Sequence, residues 1–338
     1  MQSRNPINPI RKKLRTLTYA AAINEALHQA MEISSDVHVL GQLVDYKSGI
    51  FGTTTGLVEK FGRDRVHDFP IAESLMTATA IGAALTGLRP ILVHQRLDFA
   101  FYSMDAIVNW LSLWRFKSNG QSGLPVTIRM IVGKGWGQGP QHSKSVHAWF
   151  AHLPGIKVAI PSTSHDVKGL LLESIFGDDP VIFIEHRSLF SMTDFVPEHP
   201  YRVSFGQAVI RRLGRDLTLV AIGVMVPMAM QAASYLSEEG IDIEVIDIRT
   251  LSPLDKDTIF NSIVKTKRLL VADPAWHSFG ASSEIIASVT EKLGKQLKAD
   301  PGRICFPDSH TPTSYVLENY YYPNKDNIIN EIRRLVVM

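Results

Sequence analysis

Three side chains of this 338-residue sequence could do chemistry together: the carboxylate of Glu73, the ring of Phe99 and the imidazole of His142. Glu73 follows Pro70 and opens a run, Ser74 to Ala84, made mostly of small and apolar residues. An acid in the first turn of a helix ordinarily offsets the helix dipole. Opening a helix that is expected to be buried, Glu73 would instead be partly desolvated and serve as a proton donor or strong hydrogen-bond partner. Phe99 sits in Asp98-Phe99-Ala100-Phe101-Tyr102, where an aromatic more often fills a core than carries a ligand, and histidines commonly end as satisfied hydrogen-bonding groups. All three follow strand-like runs, however, and ligands of parallel α/β sheets bind beyond the carboxyl ends of strands. Three such residues at one sheet edge define a candidate site.

His142 closes a glycine run, Gly133-Lys-Gly135-Trp-Gly137-Gln-Gly139-Pro140, whose alternating spacing does not match the dinucleotide fingerprint. No Walker loop is present either, because no glycine stands five residues before Gly294-Lys295. From the pattern alone the run reads equally as a flexible surface loop or as a loop that carries function.

The elements that must position these residues alternate, which predicts stacked βα units around a parallel sheet. Strands are expected at His38 to Val44, Arg65 to Phe69, Pro90 to Gln95, Val126 to Val132, Lys157 to Ile160 and Val181 to Glu185. Leu17 to Met31 and Ser103 to Trp114 have apolar residues at helical spacing, and Asp166 to Ser174 reads as a helix with Ser164 near its cap. Pro197 and Pro200 interrupt the alternation, so residues 1–15 are assigned to an amino-terminal arm, 16–190 to a first domain, 191–204 to a linker and 205–338 to a smaller α/β domain. In the second domain, strands are expected at Leu217 to Ile222, Ile243 to Ile248, Leu269 to Ala272 and Ile304 to Phe306, with helices at Val226 to Glu239 and Ser282 to Lys292.

Composition narrows the partners. A formal charge of +2 gives no reason to expect nucleic acid or an electrostatic grip on membranes. The apolar stretch Leu217 to Met230 is too short for a span and is broken by Gly223 and Pro227. Cys305 is the only cysteine, which excludes an intramolecular disulfide and a cysteine-cluster metal site and suits a reducing compartment, so a cytoplasmic location is expected.

Ordered strings along nearly the whole chain carry a resemblance. They include Thr18 to Leu27, Phe51 to Leu57, Pro70-Ile71-Ala72-Glu73, Gly87-Leu88-Arg89-Pro90, Gln141-His142-Ser143, Ala148 to His152, Pro154 to Val158, Asp179 to His186 and Ile246 to Leu251. In these the chain resembles β subunits of the thiamine-diphosphate-dependent, decarboxylating component of 2-oxoacid dehydrogenase complexes, of the pyruvate, branched-chain and acetoin type. The resemblance implies an α/β fold with a transketolase-like pyrimidine-binding domain on a parallel sheet and a smaller transketolase carboxyl-terminal domain. It also implies a heterotetramer of two α and two β chains.

By the same resemblance, Glu73 is the acid that bonds the aminopyrimidine of thiamine diphosphate, Phe99 stacks on that ring, Ile71 lines the pocket and His142 lines the substrate channel. A carboxylate sharing a proton with the pyrimidine favours the imino tautomer, whose nitrogen can remove the thiazolium proton. The family binds the diphosphate through a divalent metal, magnesium, with a Gly-Asp-Gly motif that this sequence lacks. An α partner is therefore expected to hold the metal, and a lipoylated acyltransferase core to take the acyl group. A monovalent cation held by backbone carbonyls near Ser174, Gly177 and Asp179 belongs to the same expectation.

The departures fall in the substrate region. Gln95 and Arg96 stand where many relatives have an acidic and aromatic string, Lys144 follows Gln-His-Ser where Gln is usual, and Trp136 enters the glycine run. Arg96, Lys144 and Trp136 could admit a larger or more anionic 2-oxoacid, or an aldehyde acceptor in place of a lipoyl arm. Two alternatives accompany the main reading: a split transketolase-like carboligase with another acceptor, and a non-catalytic interaction subunit.

Overall fold

The computed structural model describes residues 15–134 and 137–337, so most of the arm and Trp136 lie outside the described residues. Its strands, in chain order, are β1 (Thr16–Thr18), β2 (Val37–Gly41), β3 (Val66–Asp68), β4 (Arg89–His94), β5 (Thr127–Val132), β6 (Lys157–Ala159) and β7 (Val181–His186). They continue with β8 (Thr193–Phe195), β9 (Val209–Arg212), β10 (Leu217–Ala221), β11 (Ile243–Asp247), β12 (Thr250–Ser252), β13 (Leu269–Trp276) and β14 (Gly302–Phe306).

A seven-stranded sheet runs β12-β6-β7-β5-β4-β2-β3, parallel except for β12, which lies antiparallel to β6. The central strands β5 and β7 are buried at every position, as strands covered by helices on both faces must be. A five-stranded sheet, β14-β13-β10-β11-β9, forms from the second half, with β9 antiparallel. The expected α/β architecture is therefore present, with two sheets. The strands β1, β8, β9 and β12 were not anticipated, β1 taking up Leu17, where a helix was expected to begin; each is only three or four residues long and pairs with a strand remote in sequence.

Helix Tyr19–Ile33 begins where Thr18 accepts a hydrogen bond from the Ala21 N–H at 3.1 Å. Helix Ser164–Phe176 begins two residues before the expected start, with Thr163 rather than Ser164 as the cap. The stretch Ser103 to Trp114 is not one helix. A 3₁₀ segment (Leu97–Ser103) ends where it begins, and a short α turn (Met104–Ala106), a π turn (Ile107–Leu111) and the start of another α turn (Trp114–Lys117) follow. Its side chains bond elsewhere: Ser103 Oγ donates to the Glu73 carbonyl at 2.9 Å, and Ser112 Oγ turns back to the Val108 carbonyl at 2.6 Å. Helices Lys256–Thr266 and Lys325–Val337 complete the second half. The latter buries Ile328, Ile329, Ile332 and Leu335, whose helical spacing is the signal that identifies it.

The two halves are joined by a buried charge network. Arg211 on β9 donates to Asp166, on helix Ser164–Phe176, and to Asp247 at the end of β11, the latter at 2.8 Å. Arg249 donates to Asp166 at 2.9 Å, and Ser162 donates to Asp247 at 2.5 Å.

Burial also sets a pH response. Desolvation pushes His94 down to about 4, and desolvation followed by the charge of Lys134 pushes His186 down to about 3. Unfolded histidine protonates near 6.5, so below that value the unfolded chain takes up protons that the fold excludes. The stabilisation is complete above about pH 6.5 and is lost progressively as pH falls toward the folded values. These two histidines together are expected to lower the unfolding free energy by about 4 kcal/mol between pH 7 and pH 5. Urea titrations at both pH values check this, and His94→Gln should remove about half of the difference.

Candidate active site at the carboxyl edge of the first sheet

Because β3, β4 and β5 run parallel in one sheet, the segments that follow them emerge at the same edge. Glu73 follows β3, Phe99 follows β4 and His142 follows β5, so topology places the three residues at the same edge of the sheet. The first residue of helix Glu73–Leu85 is Glu73 itself. Thr77 Oγ1 and Ser103 Oγ both donate to its backbone carbonyl, at 3.0 and 2.9 Å. Ser74 Oγ adds a bond to the Tyr102 carbonyl, so the helix start is tied to the segment that carries Phe99.

The side chain of Glu73 is 9% exposed, yet its carboxylate makes no hydrogen bond or ion pair among the described residues. The residue is largely buried, and its carboxylate is left free to take a partner from outside the chain. Helix Glu73–Leu85 is not buried all round, contrary to the expectation from its composition. Leu75 is 54% exposed and Leu85 48%, on the face that also exposes Ala78 and Gly82. Ile71 is 84% and Tyr102 74% exposed. The edge around Glu73 is thus apolar and open.

Phe99 and His142 meet edge to face, with ring centroids 5.5 Å apart and an interplanar angle of 82°. The Nδ1 atom of His142 is buried without a hydrogen-bond partner. Gln95 donates to the Gln42 carbonyl at 3.3 Å. Arg96, 4% exposed, donates from Nη1 to the Gln95 carbonyl at 3.0 Å and from Nη2 to Gln138 Oε1 at 2.9 Å, and its guanidinium lies 5.2 Å from the Phe51 ring centroid. The Lys144 ammonium donates to Asp98 Oδ1 at 3.1 Å and to the Pro140 carbonyl at 2.6 Å. Lys144 is therefore answered by a carboxylate within the chain, whereas Arg96 bonds only neutral oxygens and its buried Nε has no hydrogen-bond partner.

The glycine run is covered from the second half of the chain. Gly137 and Gly139 have φ of +63° and +65°, and a Cβ on them would lie 3.0 Å from the Thr313 carbonyl oxygen and 2.7 Å from Thr313 Oγ1. Positive φ and this close approach both require glycine. Sequence reasoning missed Thr313 and the roles of Gln138 and Asp98; Gln138 and Thr313 meet their partners only through long-range contacts, while Asp98 was visible as an acid beside Phe99.

Ser174, Gly177 and Asp179 lie at another place, around the end of helix Ser164–Phe176. The Gly177 carbonyl accepts from Arg89 at 2.7 Å, and the Asp179 carboxylate is paired with Arg115 at 2.6 Å and Lys157 at 3.1 Å. Among the described residues no group of three or more His, Cys, Asp or Glu side chains could hold a metal ion, and no helix is long and apolar enough to cross a membrane.

The larger, mostly parallel sheet followed by a smaller mixed sheet is that of a transketolase-type chain, as the matches to two family models show. Residues 15–192 match the transketolase pyrimidine-binding domain and residues 206–328 the transketolase C-terminal domain. The sequence is 40% identical to acetoin:2,6-dichlorophenolindophenol oxidoreductase subunit beta of Cupriavidus necator, over 95% of this chain and 97% of that protein. It is 40% identical to the protein of the same name from Bacillus subtilis, over 94% and 96%, and 38% identical to pyruvate dehydrogenase E1 component subunit beta of Staphylococcus aureus, over 94% and 98%. A solved split-gene transketolase, described as an inactive beta4 tetramer, shares the fold with a TM-score of 0.76 at 22% identity, over 95% of this chain and 98% of that one. The chain belongs to the family of β subunits of thiamine-diphosphate-dependent 2-oxoacid dehydrogenase components.

Proposed function

We propose that this chain is the β half of a two-chain enzyme that decarboxylates a 2-oxoacid and passes the acyl group to a lipoyl carrier. The observation that carries the reading is the carboxylate of the largely buried Glu73, without a partner among the described residues, at an open apolar edge, in a chain that lacks a Gly-Asp-Gly motif. Its place is suited to the ring nitrogen of an aminopyrimidine, and Phe99 and Ile71 offer apolar surface to the ring itself. Thiamine diphosphate, when bound, supplies the carbon nucleophile that attacks the substrate carbonyl.

In this reading, Glu73 holds and returns a proton at the pyrimidine nitrogen. Phe99 orients the ring plane, and His142, with Nδ1 unpartnered, offers its imidazole to the substrate carboxylate or to the oxygen on which charge develops. An α chain bearing Gly-Asp-Gly holds the diphosphate through magnesium, covers Ile71, Leu75 and Tyr102, and assembles with this chain as a tetramer of two α and two β chains. A cation at the carbonyls of Ser174, Gly177 and Asp179 and the domain division at 191–204 remain part of the same proposal.

Since the Lys144 ammonium is paired with Asp98 and adds no free charge at the site, the substrate favoured here is a small 2-oxoacid with a single carboxylate rather than a more anionic one. Acetoin is the second substrate to test, because two relatives carry that name.

The test is to produce the chain with its α partner and assay both substrates. Turnover is expected only from the pair, with reduction of lipoamide as pyruvate is decarboxylated. Carbon–carbon bond formation independent of lipoamide would favour a carboligase, and turnover by this chain alone would refute the split site.

A further inference from the structure

The Phe99–His142 ring contact is flanked by polar contacts between neighbouring residues. Asp98, 7% exposed, immediately precedes Phe99, and Lys144 comes shortly after His142. A single oxygen, Asp98 Oδ1, accepts from the Lys144 backbone N–H at 3.3 Å and from its ammonium at 3.1 Å. That ammonium also donates to the Pro140 carbonyl at 2.6 Å, which closes the loop on the near side of His142. A second strut joins Arg96 to Gln138 at 2.9 Å. The segment after β4 and the segment after β5 are thus joined on both sides of the ring pair, before His142 at Gln138 and after it at Lys144.

We infer that Asp98 is a positioning residue: by holding Lys144 it fixes His142 edge-on to Phe99, and Lys144 serves this placement rather than recognition of substrate charge. The inference rests on the roles given above to Phe99 and His142. An ammonium already shared between a carboxylate and a carbonyl has little hydrogen-bonding capacity left for a substrate anion. Asp98 is buried enough that its pair with Lys144 is screened less than a surface pair. Holding the imidazole matters because a displacement of about 1 Å in a reacting group can cost on the order of 10²-fold in rate.

The test uses the assembled two-chain complex. Asp98→Asn and Lys144→Gln are each expected to lower kcat by about 10- to 100-fold while substrate KM and thiamine diphosphate affinity, the latter by titration calorimetry, stay within about 3-fold. The double variant should be no worse than the weaker single, because cutting a strut twice removes nothing more. Lys144→Arg keeps the ion pair and should retain most of the activity. His142→Ala is measured alongside. A large loss there with Asp98→Asn and Lys144→Gln unaffected overturns the strut and leaves the site reading intact, whereas no loss in His142→Ala removes both. Losses that multiply in the double variant, or a KM increase in Lys144→Gln confined to more anionic substrates, also overturn the inference. Should Asp98→Asn fail to assemble, Lys144→Gln decides, since that side chain is 25% exposed and its replacement is tolerable to the fold.

Discussion

Replacing Glu73 with glutamine is expected to lower turnover of the two-chain complex by about 10³-fold while fold and assembly persist. The geometry makes this a clean substitution. Both hydroxyls that tether the start of helix Glu73–Leu85, those of Thr77 and Ser103, bond to the Glu73 backbone carbonyl, and the carboxylate itself has no partner among the described residues. Glutamine keeps the shape and the backbone contacts and removes only the ability to hold and return a proton. Its amide can still meet the pyrimidine, so cofactor affinity should fall much less than kcat. Steady-state assays with circular dichroism and gel filtration read all three quantities. Wild-type turnover in Glu73→Gln would remove Glu73 from the mechanism.

The largest expected effect on stability lies in the middle of the first sheet. Arg129 on β5 and Glu185 on β7 form a two-point ion pair, Nε to Oε1 at 2.5 Å and Nη2 to Oε2 at 2.9 Å, with both side chains fully buried. Taking away one partner leaves a charge in a medium that solvates it poorly. Arg129→Met is therefore expected to cost about 3–5 kcal/mol, seen as a lower urea midpoint, and Arg129→Met with Glu185→Leu to recover most of it. Equal losses in the single and double variants would show that the arginine stabilises through its packing and not through the pair.

The fold was legible where local pattern decides it. The Val and Ile runs of β4, β5 and β7 and the small-residue helix after Pro70 announce themselves by composition and boundaries. It was illegible where distant contacts override propensity. Ser103 to Trp114 has helical spacing, but the stretch is broken into different helical turns, and Ser103 bonds across to Glu73. The outward face of helix Glu73–Leu85 carries alanine, glycine and leucine, a composition that suits a core and an interface equally.

At the candidate site, residue types and their places after successive strands were enough to select Glu73, Phe99 and His142. What holds them was not readable, because Arg96 with Gln138 and Asp98 with Lys144 are pairs 42 and 46 residues apart. Arg96 and Lys144 looked like charges free for a substrate; a sequence shows that a cation is present but not what it already touches.

The strand β12, contributed by the second half to the outer edge of the first sheet, bears on how such a chain can be divided. A first half severed within 191–204 would bare the backbone of Lys157–Ala159, an edge open to pairing with another copy. Architecture gives two domains, but inheritance must treat them as one. A second half exchanged from a relative would have to bring a strand able to pair with the β6 edge.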